Sequence, residues 1–133
     1  MAEATTPFEM LGGGQTVREI VARFYALMDE DPHYAKLRAL HAEDLSDVQQ
    51  GLTLFLDAWL GGPKAWFDRG QCVMSLHRNI AIAPEVADQW ADAMTRAVTM
   101  QPGIDPALGK AMAERLGQMA RGMVNAERRA DAA

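Results

Sequence analysis

The run Phe55-Leu56-Asp57-Ala58-Trp59-Leu60-Gly61-Gly62-Pro63 carries two signals at once. Phe55, Leu56 and Trp59 continue a three-and-four spacing begun by Val48 and Leu52, which is the spacing of one face of an α-helix. Gly61-Gly62-Pro63 then stops that helix, because glycine leaves the helical region at little cost and proline cannot continue the ladder. The same grammar holds on either side. Val17, Ile20, Val21, Phe24, Tyr25 and Met28 make one such stripe; Val86, Trp90, Met94 and Ala97 make another; Leu108, Met112, Leu116, Met119 and Met123 make a fourth. Gly12-Gly13-Gly14, Asp31-Pro32, Ala83-Pro84 and Gln101-Pro102-Gly103 separate them. Pro32 suits the first turn of a shorter helix carrying Leu37 and Leu40, and Asp44 or Ser46 suits the cap of the helix with Val48. No run of four or more residues alternates at the strand period, and Ile80-Ala81-Ile82 is too short to count. The expectation is an all-α fold of four main helices with short connecting ones.

The 133 residues bound what this fold can do. Their length is that of one domain, which buries roughly two-thirds of the surface its unfolded chain exposes. That leaves room to enclose one small cofactor. Apolar residues at 49% and charged residues at 23% are ordinary globular usage and argue against disorder. A net charge of −5 with no basic stripe argues against a nucleic-acid partner. No apolar run is long enough to span a bilayer, and residues 1–14 lack a signal-peptide pattern. A single cysteine, Cys72, excludes an internal disulfide and a four-cysteine zinc site. A soluble, cytoplasmic protein is expected, with a fraying tail at 127–133.

The chemistry-bearing residues are few. Residues 64–79 form a long connection without clean periodicity that holds Trp66, Phe67, Cys72, Met74, Leu76 and His77, and such connections tend to be functional. His77, flanked by Val73, Met74, Leu76 and Ile80, has the apolar setting of an axial iron ligand; taken alone, it reads first as a buried histidine satisfied by a backbone carbonyl. Tyr25 and Trp90 lie on buried stripes with an O–H and an N–H that need partners, and each alone reads as a core residue. His41 follows a short helix whose dipole stabilises a cation there. His33 has the character of an exposed first-turn residue. The three histidines lack zinc spacing, Cys72 and His77 lack a third orienting group, and Gly12-Gly13-Gly14 follows no strand that would make it a phosphate loop. Met112, Met119 and Met123 read as adaptable core.

Taken in order, these residues resemble a truncated haemoglobin of the 2-on-2 type, group II. The resemblance runs from Phe8 to Asn125: an aromatic followed by Gly12-Gly13, then Arg23-Phe24-Tyr25, Leu37-Arg38-Ala39-Leu40-His41-Ala42-Glu43-Asp44-Leu45, and Phe55 to Pro63, its most specific segment. His77, Ile82, Asp88-Gln89-Trp90 and Met123-Val124-Asn125 follow at similar spacing.

The resemblance implies a two-over-two helical sandwich, one domain over 1–133 with an ordered core of about 8–126, enclosing haem b (iron protoporphyrin IX). It implies His77 as the proximal ligand, and Tyr25, His41 and Trp90 as distal polar residues. Val48, Leu52, Phe55, Trp66, Met74 and Ile80 would line the porphyrin. Dioxygen or another diatomic ligand is the implied partner, with an unidentified reductase a further one, in a monomer or homodimer. Three distal donors would slow ligand release, favouring peroxide or nitric oxide chemistry, or sensing, over bulk oxygen delivery. Leu76 and Gly51 stand where relatives carry basic residues that contact haem propionates, and Lys64, Arg69 or Arg78 are the substitutes at hand. The competing expectations are a small helical interaction module and a haem-free sensor of the same fold.

Overall fold

The computed structural model describes residues 6–68 and 80–124. Seven α-helices and one 3₁₀ turn are described: α1 (Pro7–Leu11), α2 (Gly14–Glu30), the turn Pro32–Tyr34, α3 (Ala35–Ala39), α4 (Ser46–Trp59), α5 (Ala65–Asp68), α6 (Pro84–Met100) and α7 (Pro106–Gly122). Among the described residues there is no strand, and no helix is long and apolar enough to cross a membrane. The four stripes expected from spacing are α2, α4, α6 and α7.

Local chemistry sets the helix starts. The Thr6 side chain accepts from Glu9 N–H at 3.2 Å and caps α1; the Asp105 carboxylate accepts from Leu108 N–H at 3.0 Å and caps α7. Pro7, Pro84 and Pro106 occupy first helical positions, where the missing N–H costs nothing. Neither residue expected to cap α4 does so: Leu45 holds the N-cap position without a side-chain bond, and Asp44 closes a turn just ahead of the helix, its Oδ1 accepting from Ser46 N–H at 2.9 Å and from the Ser46 hydroxyl at 2.6 Å. At the end of α1, Gly12 takes φ of +115°, a left-handed cap that a side chain would strain, and a Cβ there would meet Thr16 Oγ1 at 2.6 Å.

The layers follow from which faces are apolar. α6 packs along α7, and α2 packs on both α6 and α4, giving two helix pairs stacked through α2 and α6. Val17, Ile20, Val21 and Phe24 of α2, Met94 and Ala97 of α6 and Leu56 of α4 are fully buried between them. α1 closes one end. Phe8 N–H donates to Leu60 C=O at 3.0 Å, and the Phe8 ring lies so close to Gly62 that a Cβ there would sit 2.6 Å from it. The early aromatic and the Gly61-Gly62-Pro63 stop are thus two halves of one contact, and glycine at 62 is required by that close approach.

Candidate functional site

Phe24 is the hub around which the polar residues gather. It has no solvent exposure and meets the Tyr25 ring edge-on at 4.9 Å and the Trp90 ring edge-on at 5.2 Å. The Tyr25 ring in turn meets the His41 imidazole at 6.0 Å, again edge-on. Such edge-to-face pairs contribute about 0.5–1.5 kcal/mol each beyond their burial. α2, α6 and the segment after α3 therefore bring Tyr25, Trp90 and His41, the three expected distal residues, into one connected cluster. Tyr25 is buried; Trp90 and His41 are half-buried.

The donors in this cluster have distinct states. Among the described residues, neither the Tyr25 hydroxyl nor the Trp90 indole N–H makes a hydrogen bond. Burial pushes the Tyr25 phenol further above its already alkaline value, so the hydroxyl keeps its proton and remains a donor. His41 differs. Its Nδ1 lies 2.9 Å from the Leu37 carbonyl oxygen. A carbonyl only accepts, so Nδ1 must carry the proton, and in the neutral ring the lone pair then sits on Nε2. The third distal donor expected at His41 is therefore available at Nε2 only as imidazolium. The neutral ring offers an acceptor there.

Longer-range contacts hold this arrangement. Gln89 Oε1 accepts from the Leu37 backbone N–H at 3.1 Å. Arg38 donates through Nη1 to Ala42 C=O and through Nη2 to Glu43 C=O, both at 2.9 Å, and pairs with Asp29 through Nε at 2.6 Å. The 3₁₀ turn is tied to α6 separately: the Tyr34 hydroxyl donates to Asp92, and Arg96 donates to Tyr34 Oη at 3.0 Å and Asp31 at 2.9 Å. The His33 backbone N–H and the Arg96 guanidinium hold the Asp31 carboxyl below the usual carboxylate range. His33 itself is exposed, as expected. Arg38 and Gln89 fall inside the motif segments without a role assigned there, and Tyr34 and Arg96 carry no periodic or motif signal. Gln89 could have been flagged only by its place beside Trp90.

The apolar residues expected around a cofactor flank the same core. Leu52 and Phe55 of α4 are half-buried, and Val48 is 38% exposed. Trp66 of α5 is buried and meets the Phe55 ring edge-on at 5.6 Å, while Ile80 is half-buried against the same core. A side chain at Gly51 would meet nothing within 4 Å. His77 and Met74 lie outside the described residues, as do Cys72, Leu76, Arg69 and Arg78. Lys64 is exposed.

One further group stands out. Asp57, on α4 and 9% exposed, has an Oδ1 atom that is buried without a hydrogen-bond partner. Burial raises its carboxyl above the usual range, opposed by the nearby Arg18 charge.

Comparison with known proteins places the whole architecture. The sequence profile of the bacterial-like globins matches residues 6–125. A cold-adapted truncated haemoglobin from the Antarctic marine bacterium Pseudoalteromonas haloplanktis TAC125 superposes with a TM-score of 0.86 at 30% identity, over 91% of this chain and 98% of that one. A group II 2-on-2 haemoglobin from the plant pathogen Agrobacterium tumefaciens gives 0.87 at 31% identity, over 93% of this chain and 97% of its own. The group II truncated haemoglobin of Bacillus anthracis gives 0.81 at 27%, over 93% and 94%. With its profile matched over nearly the whole chain and its helices superposing on these relatives, the chain belongs to the bacterial-like globin family, among the group II truncated 2-on-2 haemoglobins.

Proposed function

We propose that this protein holds haem b through His77 and reversibly binds dioxygen or another diatomic ligand beside Tyr25, His41 and Trp90. Membership in the globin family implies a haem cofactor. The observation that carries the rest is the Tyr25 hydroxyl, a donor on a buried ring without a protein partner among the described residues. Trp90, on the other side of Phe24, carries a second donor without a protein partner among the described residues, and a diatomic ligand would accept from such donors.

The residues present fit the cofactor. Val48, Leu52 and Phe55 form an apolar strip on α4 that protein covers only in part, which suits the face of a flat macrocycle. Trp66 and Ile80 extend that wall, and Met74 is assigned to it with them. When bound, haem supplies an iron that coordinates small diatomic molecules and can pass electrons. The chain supplies the rest. Tyr25 and Trp90 donate to the partial negative charge of a diatomic ligand, and hydrogen bonds to charged acceptors contribute roughly 1.5–3 kcal/mol each. Neutral His41 accepts, and protonated His41 adds a third donor. The apolar wall keeps water away and strengthens these bonds.

Two constant donors hold a ligand long enough to disfavour bulk oxygen delivery. Slow release suits peroxide or nitric oxide conversion, with electrons from a separate reductase, or sensing. We place the protein in the cytoplasm as a single globin domain, monomeric or homodimeric.

The test is spectroscopic. Purified protein loaded with one equivalent of haem should show a Soret band whose native form is lost in His77→Ala and recovered with added imidazole. An unchanged spectrum in that variant would falsify the ligand assignment. Failure of the wild type to take up haem would return the reading to a haem-free sensor or an interaction module.

A further inference from the structure

We propose that Gln89 is a positioning residue for the distal cluster, setting the tautomer of His41 through the backbone of Leu37. The contacts form a closed circuit. Trp90 meets Phe24, Phe24 meets Tyr25, Tyr25 meets His41, His41 Nδ1 meets the Leu37 carbonyl, and the Leu37 amide returns to Gln89, the residue next to Trp90.

Each polar link has a forced direction. The Leu37 N–H can only donate, so the carboxamide oxygen of Gln89 must face it at 3.1 Å. The Leu37 C=O can only accept, so Nδ1 of His41 carries its proton toward it. α3 is only five residues long, and a helix that short is unstable alone. The Leu37 amide lies in its first turn, where N–H groups have no partner within the helix. Gln89 satisfies that orphan donor from α6. In doing so it holds the amide side of the residue whose carbonyl, one peptide unit further on, orients the imidazole. The buried Leu37 side chain anchors the same residue in the core, and Arg38 pins the carbonyls of Ala42 and Glu43 just beyond His41.

The consequence rests on the functional reading above: a ligand beside Tyr25 and Trp90 meets neutral His41 through a nitrogen that accepts. Trp90 and the acceptor nitrogen of His41 are then set by consecutive residues of one helix. Without Gln89 the ring loses its bias toward Nδ1–H, since the free neutral imidazole of histidine favours the Nε2–H form.

Long-range ¹H–¹⁵N NMR on ¹⁵N-histidine-labelled full-length protein reads the tautomer directly. Spectra are taken at about pH 8.5, above the ordinary histidine range. The diamagnetic ferrous carbon monoxide form is used where haem is bound, and the haem-free chain otherwise, with His41→Phe identifying the signal. Wild type should show the Nδ1–H pattern. Gln89→Leu, checked for native helix content, should lose it for most of the neutral population. Gln89→Glu, whose carboxylate still accepts from Leu37, should restore it. An Nε2–H pattern in wild type overturns the proposal without any variant, and so does an unchanged Nδ1–H pattern in Gln89→Leu. Because the tautomer is read with or without haem, a missing Soret band would sink the functional reading while this one stands or falls on its own spectrum.

Discussion

α2 and α4 carry apolar stripes of the same period, yet the fold uses them differently. The 17-residue α2 buries all six of its stripe residues, Val17, Ile20, Val21, Phe24, Tyr25 and Met28. The 14-residue α4 buries only Leu56, Asp57 and Ala58, and leaves Val48, Leu52 and Phe55 partly open. A helical stripe says that a face is apolar, not that protein covers it. On α2 the stripe is core. On α4 it divides at Leu56, one part serving the core and the other left partly open, the part proposed to line the haem.

The strongest way to break this comparison is to remove matched side chains from the two helices. Phe24→Ala empties a fully buried site and should cost about 3–5 kcal/mol in urea unfolding. Leu52→Ala should cost only about 1 kcal/mol, because a half-buried side chain has less to lose, yet it should speed haem loss. Equal destabilisation by the two would erase the distinction between core and wall.

Asp57 sharpens the same contrast, since it is the one charged residue that α4 buries. Its folded pKa is raised, mainly by burial, so the native state binds that proton more tightly than the unfolded state does. Stability from this group therefore falls as pH rises from the ordinary aspartate range through the folded pKa, and the penalty is full at neutral pH. Asp57→Asn should raise stability at pH 7, with the gain fading as the pH falls into the ordinary aspartate range. A gain that persists at acid pH would show that ionisation is not its cause.

On the pocket side, Tyr25→Phe or Trp90→Leu should speed dioxygen release in stopped-flow by tenfold or more. That corresponds to about 1.4 kcal/mol for one lost donor. Because the Tyr25 phenol is pushed up by burial, its contribution should stay level to about pH 10. His41 should be the group that makes release pH-dependent, and His41→Phe should flatten that profile. A Tyr25→Phe variant that loses the dependence instead would reassign it.

The smallest effect is expected at Gly51, where a side chain has open space. Gly51→Arg should slow haem transfer to apo-myoglobin through a propionate contact of about 0–1 kcal/mol, partly cancelled by salt. Better helix propensity should add up to about 1 kcal/mol to stability. Slower transfer that ignores salt would assign the whole gain to the helix.

The helices themselves are legible in the chain because their determinants are local. Apolar spacing sets the faces of α2, α4, α6 and α7, and Pro7, Pro84, Pro106 and the glycine pairs set their limits, each acting within a few residues. Tyr25, His41 and Trp90 stand out because polar atoms on or beside apolar stripes need partners wherever the chain goes. What only the tertiary structure decided are the pairings between distant residues. Leu37 and Gln89 are 52 positions apart, Tyr34 and Asp92 are 58 apart, and Phe8 reaches Gly62 across the whole of α2 and α4. No local pattern encodes which donor meets which acceptor, because hydrogen bonds require sub-ångström placement that exists only once the helices have packed. The same reason explains why the sequence shows a histidine at 41, and the fold alone shows which of its nitrogens holds the proton.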